Sequence, residues 1–573
     1  MSATPLNFFR LSLTAVFADQ THMKHPASTN RLGQQTWRFG AVFILGLPLL
    51  LGWHPVPTLG SIAEVGAVFA TAVVLVMAPL YVRLNWRAFL LGTGGVLLLL
   101  FLRAMLSPAI GQDVYTGLWV GPLVVIGVGL IICCAWPQTG DGWLRVVAAS
   151  VLLAALVNAL VGFFQYWRIT ALFEALGPYV VYWDRDDAVA HGNVAQRNIL
   201  ASLCLLGLAA SIYLNPRQRL AIRLMELFLV YAMALTASRT PLLIVGVVAA
   251  VTIYRQRGWA LLQAPLVTRF VVPVLLLQFL GPLFNDLVSL WLQRPPVESA
   301  ASRLGSVGLG IRVIFYQLAS EIGIQWWAWG GGWKSLPQAM VEHGFAHAVW
   351  GKDELPTHAH NLLLHLWAEN GLPLALLASL YPLWLMARRG AETVHANYAR
   401  LSIAVLWAHA MVEFPLWQPA LFFLFVGLCR ALELAHQAPA NDPDRAGYRH
   451  LGLIFRSVAM LTALGSALTV WQLVVVAQLW THIVERRIQV QISQVTMLRK
   501  NPVVEPYADW LELNLNTDTP ARRVARLERL AHWIPDSMML GLLADAYRRT
   551  GQQDQAHAIE RRRAVVFGIG PDQ

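Results

Sequence analysis

The chain has 573 residues, 57% of them hydrophobic and only 13% charged, with a net charge of +11. Soluble proteins carry about a quarter charged residues, so this composition excludes a soluble globular enzyme and points to a polytopic membrane protein. The positive balance is first read as cytoplasmic-loop charge rather than a nucleic-acid footprint, and no nucleic-acid partner is expected.

Residues 1–38 are polar and lack the short apolar stretch and small-residue cleavage site of a signal peptide. The first membrane helix is therefore expected to act as an uncleaved export signal. Apolar runs close to the roughly 20 residues that cross a bilayer predict thirteen spans: 39–52, 59–82, 87–106, 117–136, 144–165, 198–214, 220–237, 240–254, 267–291, 361–386, 400–414, 418–435 and 453–479. Cys133, Cys134, Cys204 and Cys429 all lie in such runs, with no disulfide framework and no zinc spacing.

With the N-terminus in the cytoplasm, every inside segment carries Arg or Lys, from Arg10, Lys24, Arg31 and Arg38 to Arg445, Arg449 and Arg456. The positive-inside rule is met throughout, which supports an odd number of spans and an outside C-terminus. The expected fold class is an all-α polytopic membrane protein with about thirteen transmembrane helices. Its expected parts are a cytoplasmic segment 1–38, helices in 39–292, a large periplasmic loop 293–360, further helices in 361–479, and a helical periplasmic domain 480–573. Within that last part LADAYRRTGQQDQAHAIERRR, 543–563, reads as one tetratricopeptide-type hairpin. A small helical cap without a partner is the other reading, since one unit is less than a solenoid needs.

Several arginines break the charge rule by lying outside or within spans: Arg103, Arg185, Arg197, Arg239, Arg303 and Arg312. They can snorkel to outer headgroups or pair with Asp184, Asp186 and Asp187. Two of them favour a functional reading, because an ionisable group at membrane depth is costly. Arg239 sits in the tight turn TASRTP, 236–241, with no acidic neighbour; Arg312 follows the glycine-rich GSVGLGIR and opens an amphipathic stretch. Guanidinium forks grip phosphate oxygens in pairs, so a cluster of Arg on the outer face suggests an anionic ligand embedded in membrane lipid, such as a lipid-linked phosphate or pyrophosphate. The chain has no GxxxxGK[ST] loop for a nucleotide.

THAHNLLLHLWAENGLP, 357–373, concentrates polar groups at the head of a late span. On a helix from His358, Asn361 falls at about 300°, His365 at about 340° and Glu369 at about 20°, one narrow stripe, while His360 falls near 200°. A later helix start resolves the misfit. Pro356 disfavours a helix before it and Asn361 is a strong N-cap type, which leaves His360 in the turn just ahead. Unpaired N–H groups and the helix dipole there favour a neutral imidazole, able to take a proton, and can attract phosphate. Two alternatives stay open: a metal held by His358, His360 and His365 with His343 and His347, and histidines that merely satisfy one another. No HExxH motif supports the metal.

HxHNxxL at the head of a late span after a long outside loop resembles the O-antigen ligase and polymerase superfamily of bacterial inner membranes. GNVAQRN, 192–198, just before a span, resembles the signature of its protein O-oligosaccharyltransferase branch, the pilin glycosylation ligases. The resemblance covers about residues 160–435, and the extra C-terminal domain fits that branch. It implies metal- and cofactor-independent transfer of a preassembled glycan from undecaprenyl pyrophosphate to an acceptor hydroxyl, on the periplasmic side of the inner membrane. The motif histidine matches His360. The phosphate-binding arginines match Arg239 and Arg312, with Arg303 beside them. Gln196, Arg197, Asn198, Asn361, His358, His365 and Glu369 are expected to orient substrate or support the site. Two departures bear on the acceptor: Arg197 stands where many relatives have proline, and His365 where protein ligases often have glutamine. The acceptor is then a Ser or Thr hydroxyl of a periplasmic or pilin-like protein, or a sugar, of a lipid A core or of a glycan being polymerised. A transporter of an anionic lipid-linked substrate is the rival from another class. It is disfavoured because the polar residues gather on one face and no pair of broken helices repeats between two halves.

Overall fold

The computed structural model describes residues 31–55, 61–77, 115, 117–135, 141–177, 180–183, 189–215, 219–255, 266–291, 310–333, 335–343, 355, 357–437, 447–484, 492–515 and 518–568. The expected span 87–106, Arg103, Arg185, Arg303 and His347 lie outside these residues, as does the side chain of His343.

Every regular element among the described residues is helical. In chain order they are α1 (Arg31–Leu50), α2 (Ser61–Met77), α3 (Gly117–Ala135), α4 (Asp141–Tyr166), α5 (Ala171–Leu176), α6 (Arg197–Leu214), α7 (Leu220–Ala234) and α8 (Thr240–Arg255). A π-turn over Val267–Val271 leads into α9 (Val272–Trp291), followed by α10 (Gly310–Gln325), α11 (Ser335–His343), α12 (Leu362–Asn370), α13 (Leu372–Ala387) and α14 (Val394–Ala410). A 3-10 turn, Pro415–Trp417, precedes α15 (Pro419–Ala435) and α16 (Gly447–Val484); α17 to α21 are Ile492–Leu498, Glu505–Leu515, Pro520–Trp533, Ser537–Arg549 and Gln553–Phe567. Three helices among the described residues are long and apolar enough to cross a membrane, within α4, α6 and α16; a pair bent by 41° at Gly281–Leu283 makes up to a fourth. With its apolar composition, the chain is a helical integral membrane protein.

The bundle is built around α6. Its Ala- and Leu-rich sequence leaves every residue from Ile199 to Ser211 buried, and α4, α7, α8 and α14 pack around it. A helix buried on all sides must be apolar on all sides, so α6 has no polar stripe. Its one polar concentration is at its start, where Gln196, Arg197 and Asn198 follow a turn.

The structure departs from the expected spans at three points. The run 361–386 forms two helices, α12 and α13, broken at Gly371. Gly371 has φ +87°, and a Cβ there would lie 2.1 Å from the Ala328 carbonyl oxygen. That close crossing is what a side chain would forbid. Backbone bonds from Gly331 to Ala368 (2.7 Å) and from Leu372 to Trp327 (2.8 Å) lock the crossing. The run 400–414 starts earlier and ends at Ala410, leaving Met411–Phe414 as a turn. The last apolar run continues as one helix, α16, from Gly447 to Val484.

Helices α17 to α21 form a second core with the outer part of α16. Arg499, Arg526 and Arg529 pair there with Glu505, Asp509, Glu512 and Asp518. Among the described residues, the polar contacts that fix this unit on the bundle include Ser61 Oγ with Tyr507 Oη at 2.7 Å, Tyr115 Oη donating to Asp509 at 2.8 Å, and Gln338 donating to the His532 carbonyl at 3.2 Å. Helices α20 and α21, joined by a short turn, pack against each other as a helical pair that contains 543–563. Gln338 lies on α11, whose Leu336, Ala339 and Met340 pack with Phe315, Leu318 and Ile322 of α10 and Ala368 of α12.

Candidate active site

The turn before α12 is set by its cap. Asn361 is extended (φ −155°), and its Oδ1 accepts the Leu364 N–H at 3.0 Å while its Nδ2 donates to the Met411 carbonyl at 3.0 Å. This is the cap geometry that Asn favours, worth ~1 kcal/mol. His360 therefore stands ahead of the helix, as its place on the wheel suggested. Its φ is +52°, a left-handed conformation that costs a non-glycine residue about 1–3 kcal/mol.

Three of the four non-glycine residues with positive φ among those described are Ala195, Ala237 and His360. Each lies in a turn that delivers polar side chains to one place. Past Ala195 comes Asn198, past Ala237 come Ser238 and Arg239, and His360 carries its own imidazole. Backbone strain of this kind clusters at functional sites.

The residue on which these turns converge is Glu413, in the turn after α14. Its side chain is 4% exposed. Oε2 is 2.8 Å from His360 Nδ1; Oε1 accepts from Asn198 Nδ2 at 2.8 Å and from Arg312 Nη2. Asn198 Oδ1 in turn accepts the Ser238 hydroxyl at 2.6 Å, and Ser238 Oγ accepts the Thr240 N–H at 3.3 Å. Gln278 of α9 holds the Ser238 carbonyl at 2.8 Å. Thus α6, α8, α9, α10, α12 and the turn after α14 meet through one hydrogen-bonded chain.

The imidazole of His360 is clamped by aromatic rings. Phe315 of α10 stacks on it (centroids 5.7 Å, 19°) and Phe414 meets its edge (5.1 Å, 81°). The side chain is 23% exposed, and no described residue hydrogen-bonds its Nε2. Arg312 is 34% exposed on the same carboxylate, so a guanidinium with five donors spends one on Glu413.

The other expected residues divide. Arg239 is half-buried in the turn that Ser238 ties to Asn198. Arg197 opens α6, and Gln196 caps it, with Oε1 buried and unbonded among the described residues. His358 is not on α12. It packs in the bend against Phe414 (4.5 Å), Trp417 (5.0 Å) and His365 (5.2 Å). His365 and Glu369 are buried one turn apart, Nε2 to Oε2 3.3 Å. Arg303, with His343 and His347 of the metal alternative, falls outside the described side chains.

The Gly192–Asn193 part of GNVAQRN is structural. Asn193 bonds the Leu50 and Val180 carbonyls (2.6 and 2.7 Å) and the Tyr182 N–H (3.0 Å), and Gln165 accepts from His191 and Gly192. Reading the sequence missed Glu413. The signal is an acid in HAMVEFP, where an apolar run stops at a proline.

Three family models match the chain. One described as O-antigen ligase covers 224–379, which holds Arg239, Arg312 and His360. One described as protein glycosylation ligase covers 190–214, the turn and start of α6. One described as virulence factor membrane-bound polymerase, C-terminal, covers 398–570, which holds Glu413 and α17 to α21. A general O-oligosaccharyltransferase of Acinetobacter baylyi is 26% identical over 331 residues, 56% of this chain and 54% of that protein. The chain thus spans about half the length of the curated relative it matches.

Proposed function

We propose that this chain, which belongs to the O-antigen ligase superfamily, transfers a preassembled glycan from undecaprenyl pyrophosphate to Ser or Thr hydroxyls of a periplasmic, pilin-like protein. The observation that carries the reading is the shared carboxylate. Glu413 brings an imidazole, His360, and a guanidinium, Arg312, to one partly exposed place. A base beside an anion holder is what glycosyl transfer from a pyrophosphate requires.

In this reading Arg312, Arg239 and Arg303 hold the pyrophosphate and stabilise charge on the leaving group. His360 Nε2 accepts the acceptor's hydroxyl proton as its oxygen attacks the anomeric carbon. The C–O bond to pyrophosphate breaks as the new glycosidic bond forms, the proton rests on the imidazole, and undecaprenyl pyrophosphate leaves. Attack from the opposite face inverts the anomeric carbon. A serine hydroxyl is a weak nucleophile, so leaving-group stabilisation contributes more than the base. No metal or cofactor enters the scheme. The active site faces the periplasm, with the N-terminus cytoplasmic and the C-terminus periplasmic.

The second reading is the same chemistry on a sugar acceptor, lipid A core or a growing glycan. The family descriptions that name a ligase and a polymerase favour it, as does His365 in place of glutamine. The test is transfer by purified protein from lipid-linked oligosaccharide to a pilin-like protein or to lipid A core, with and without chelator. Glycosylated protein, with activity surviving chelation, is expected. Product on lipid A core alone would move the assignment to the second reading, and no product on either acceptor would overturn both.

A further inference from the structure

Glu413 is buried, yet three polar groups meet its two oxygens: Oε1 accepts from Asn198 and Arg312, and Oε2 lies 2.8 Å from His360 Nδ1. A backbone N–H can only donate, so Ser238 Oγ accepts from Thr240, and its own hydrogen is directed at Asn198 Oδ1, 2.6 Å away. The Asn198 amide then presents its NH2 to Glu413 Oε1. Arg312 has only donors. Two donors converge on Oε1, one of them the Arg312 guanidinium, and this favours the ionised carboxylate, which accepts at both oxygens.

An acceptor-only carboxylate 2.8 Å from His360 Nδ1 places the imidazole proton on Nδ1. The lone pair is then on Nε2, the nitrogen that no described residue engages. The left-handed turn at His360 and the rings of Phe315 and Phe414 prevent the imidazole from turning over.

We propose that Glu413 is the positioning residue of the transfer reaction: it selects the Nδ1–H tautomer of His360, aims Nε2 at the acceptor, and holds Arg312 in register with it. This rests on the reading of His360 as the base. Glu413 touches neither donor nor acceptor, and its effect passes through His360 and Arg312. A carboxylate behind a histidine base fixes tautomer and orientation in the same way in hydrolytic triads.

The test uses the purified full-length protein with lipid-linked oligosaccharide and acceptor, and 15N spectra of labelled histidine, with His360 assigned by difference from His360→Ala. In the wild type, His360 is expected to show a protonated Nδ1 and a bare Nε2. Glu413→Gln should populate the other tautomer and lower kcat about hundredfold or more, with donor KM within about threefold, whereas Glu413→Asp should recover part of the rate. A bare Nδ1 or two protonated nitrogens in the wild type would overturn the proposal without any Glu413 variant having to fold. So would wild-type kcat in Glu413→Gln. If the wild type transfers nothing but shows the expected tautomer, the base assignment of His360 fails while the hold of Glu413 on its ring stands.

Discussion

Ser238 donates its hydroxyl to Asn198 Oδ1 at 2.6 Å, which ties the turn carrying Arg239 to the first turn of α6. Asn198 relays this tie to Glu413. Ser238→Ala removes the bond to Asn198, about 1 kcal/mol net, together with the longer one from Thr240, and is expected to lower kcat/KM about fivefold. Asn198→Asp sets a second carboxylate against Glu413 and replaces a donor by an acceptor. It should cost about hundredfold or more, by the penalty for burying like charges. Steady-state transfer assays on the two variants check the order; an Asn198→Asp enzyme as active as Ser238→Ala would show that the amide points the other way.

His360 and the two arginines separate by kinetics. His360→Ala should abolish glycan transfer in cells while the protein still accumulates in the membrane. Arg239→Lys keeps the charge but loses the paired fork, so donor KM should rise about tenfold with kcat less affected. Arg312→Lys should lower kcat as well, because Arg312 also holds Glu413. Full activity in Arg239→Lys would rule out paired phosphate binding at that turn.

Gly371→Ala addresses the break between α12 and α13. The added Cβ would meet the Ala328 carbonyl at 2.1 Å, on backbone that cannot yield, whereas Gly390, also at positive φ (+111°), has nothing within 4 Å of its Cβ position. Gly390→Ala carries backbone strain alone, about 1–3 kcal/mol. Gly371→Ala should therefore lower the thermal midpoint of the detergent-solubilised protein, or its yield, much more than Gly390→Ala. Equal losses would mean that the crossing at Ala328 is not close-packed.

The parts of this site that were legible in the sequence are those written in local chemistry. Pro356 and Asn361 fix where α12 begins, and that alone places His360 in the preceding turn. The turn at Arg239 is legible because an arginine between Ser238 and Thr240 is costly in an apolar setting. Glu413 was not legible. It lies 53 residues from His360 and 215 from Asn198, and in HAMVEFP it resembles any acid at the end of a span. Only the packing of α14 beside α6 reveals three polar groups around it. Gly371 was missed for a related reason: it lies in an apolar run long enough to cross a membrane, and the segment that forces it open, Trp326–Gly332, is forty residues away in sequence by order of magnitude. Asn193 shows the converse, a motif residue whose side-chain bonds all go to backbone.

His365 gives the last prediction, because its tautomer is the opposite of the one assigned to His360. Its Nδ1 accepts the Ala359 N–H at 3.3 Å, so its proton lies on Nε2, 3.3 Å from Glu369 Oε2. Through Ala359 it holds the residue just before His360, in a position where 2% of its own side chain is exposed. Glutamine can reproduce both roles, its carbonyl toward Ala359 and its amide toward Glu369; alanine can reproduce neither. His365→Gln should keep kcat within about threefold and the thermal midpoint near wild type. His365→Ala removes the acceptor of the buried Ala359 N–H, at about 1–3 kcal/mol, and frees the strained turn, so both stability and kcat should fall. The pair of variants, compared by thermal unfolding and by transfer rate, decides whether His365 acts on the turn or on the substrate. A His365→Gln protein that is fully stable but inactive would place His365 in direct contact with the donor or acceptor.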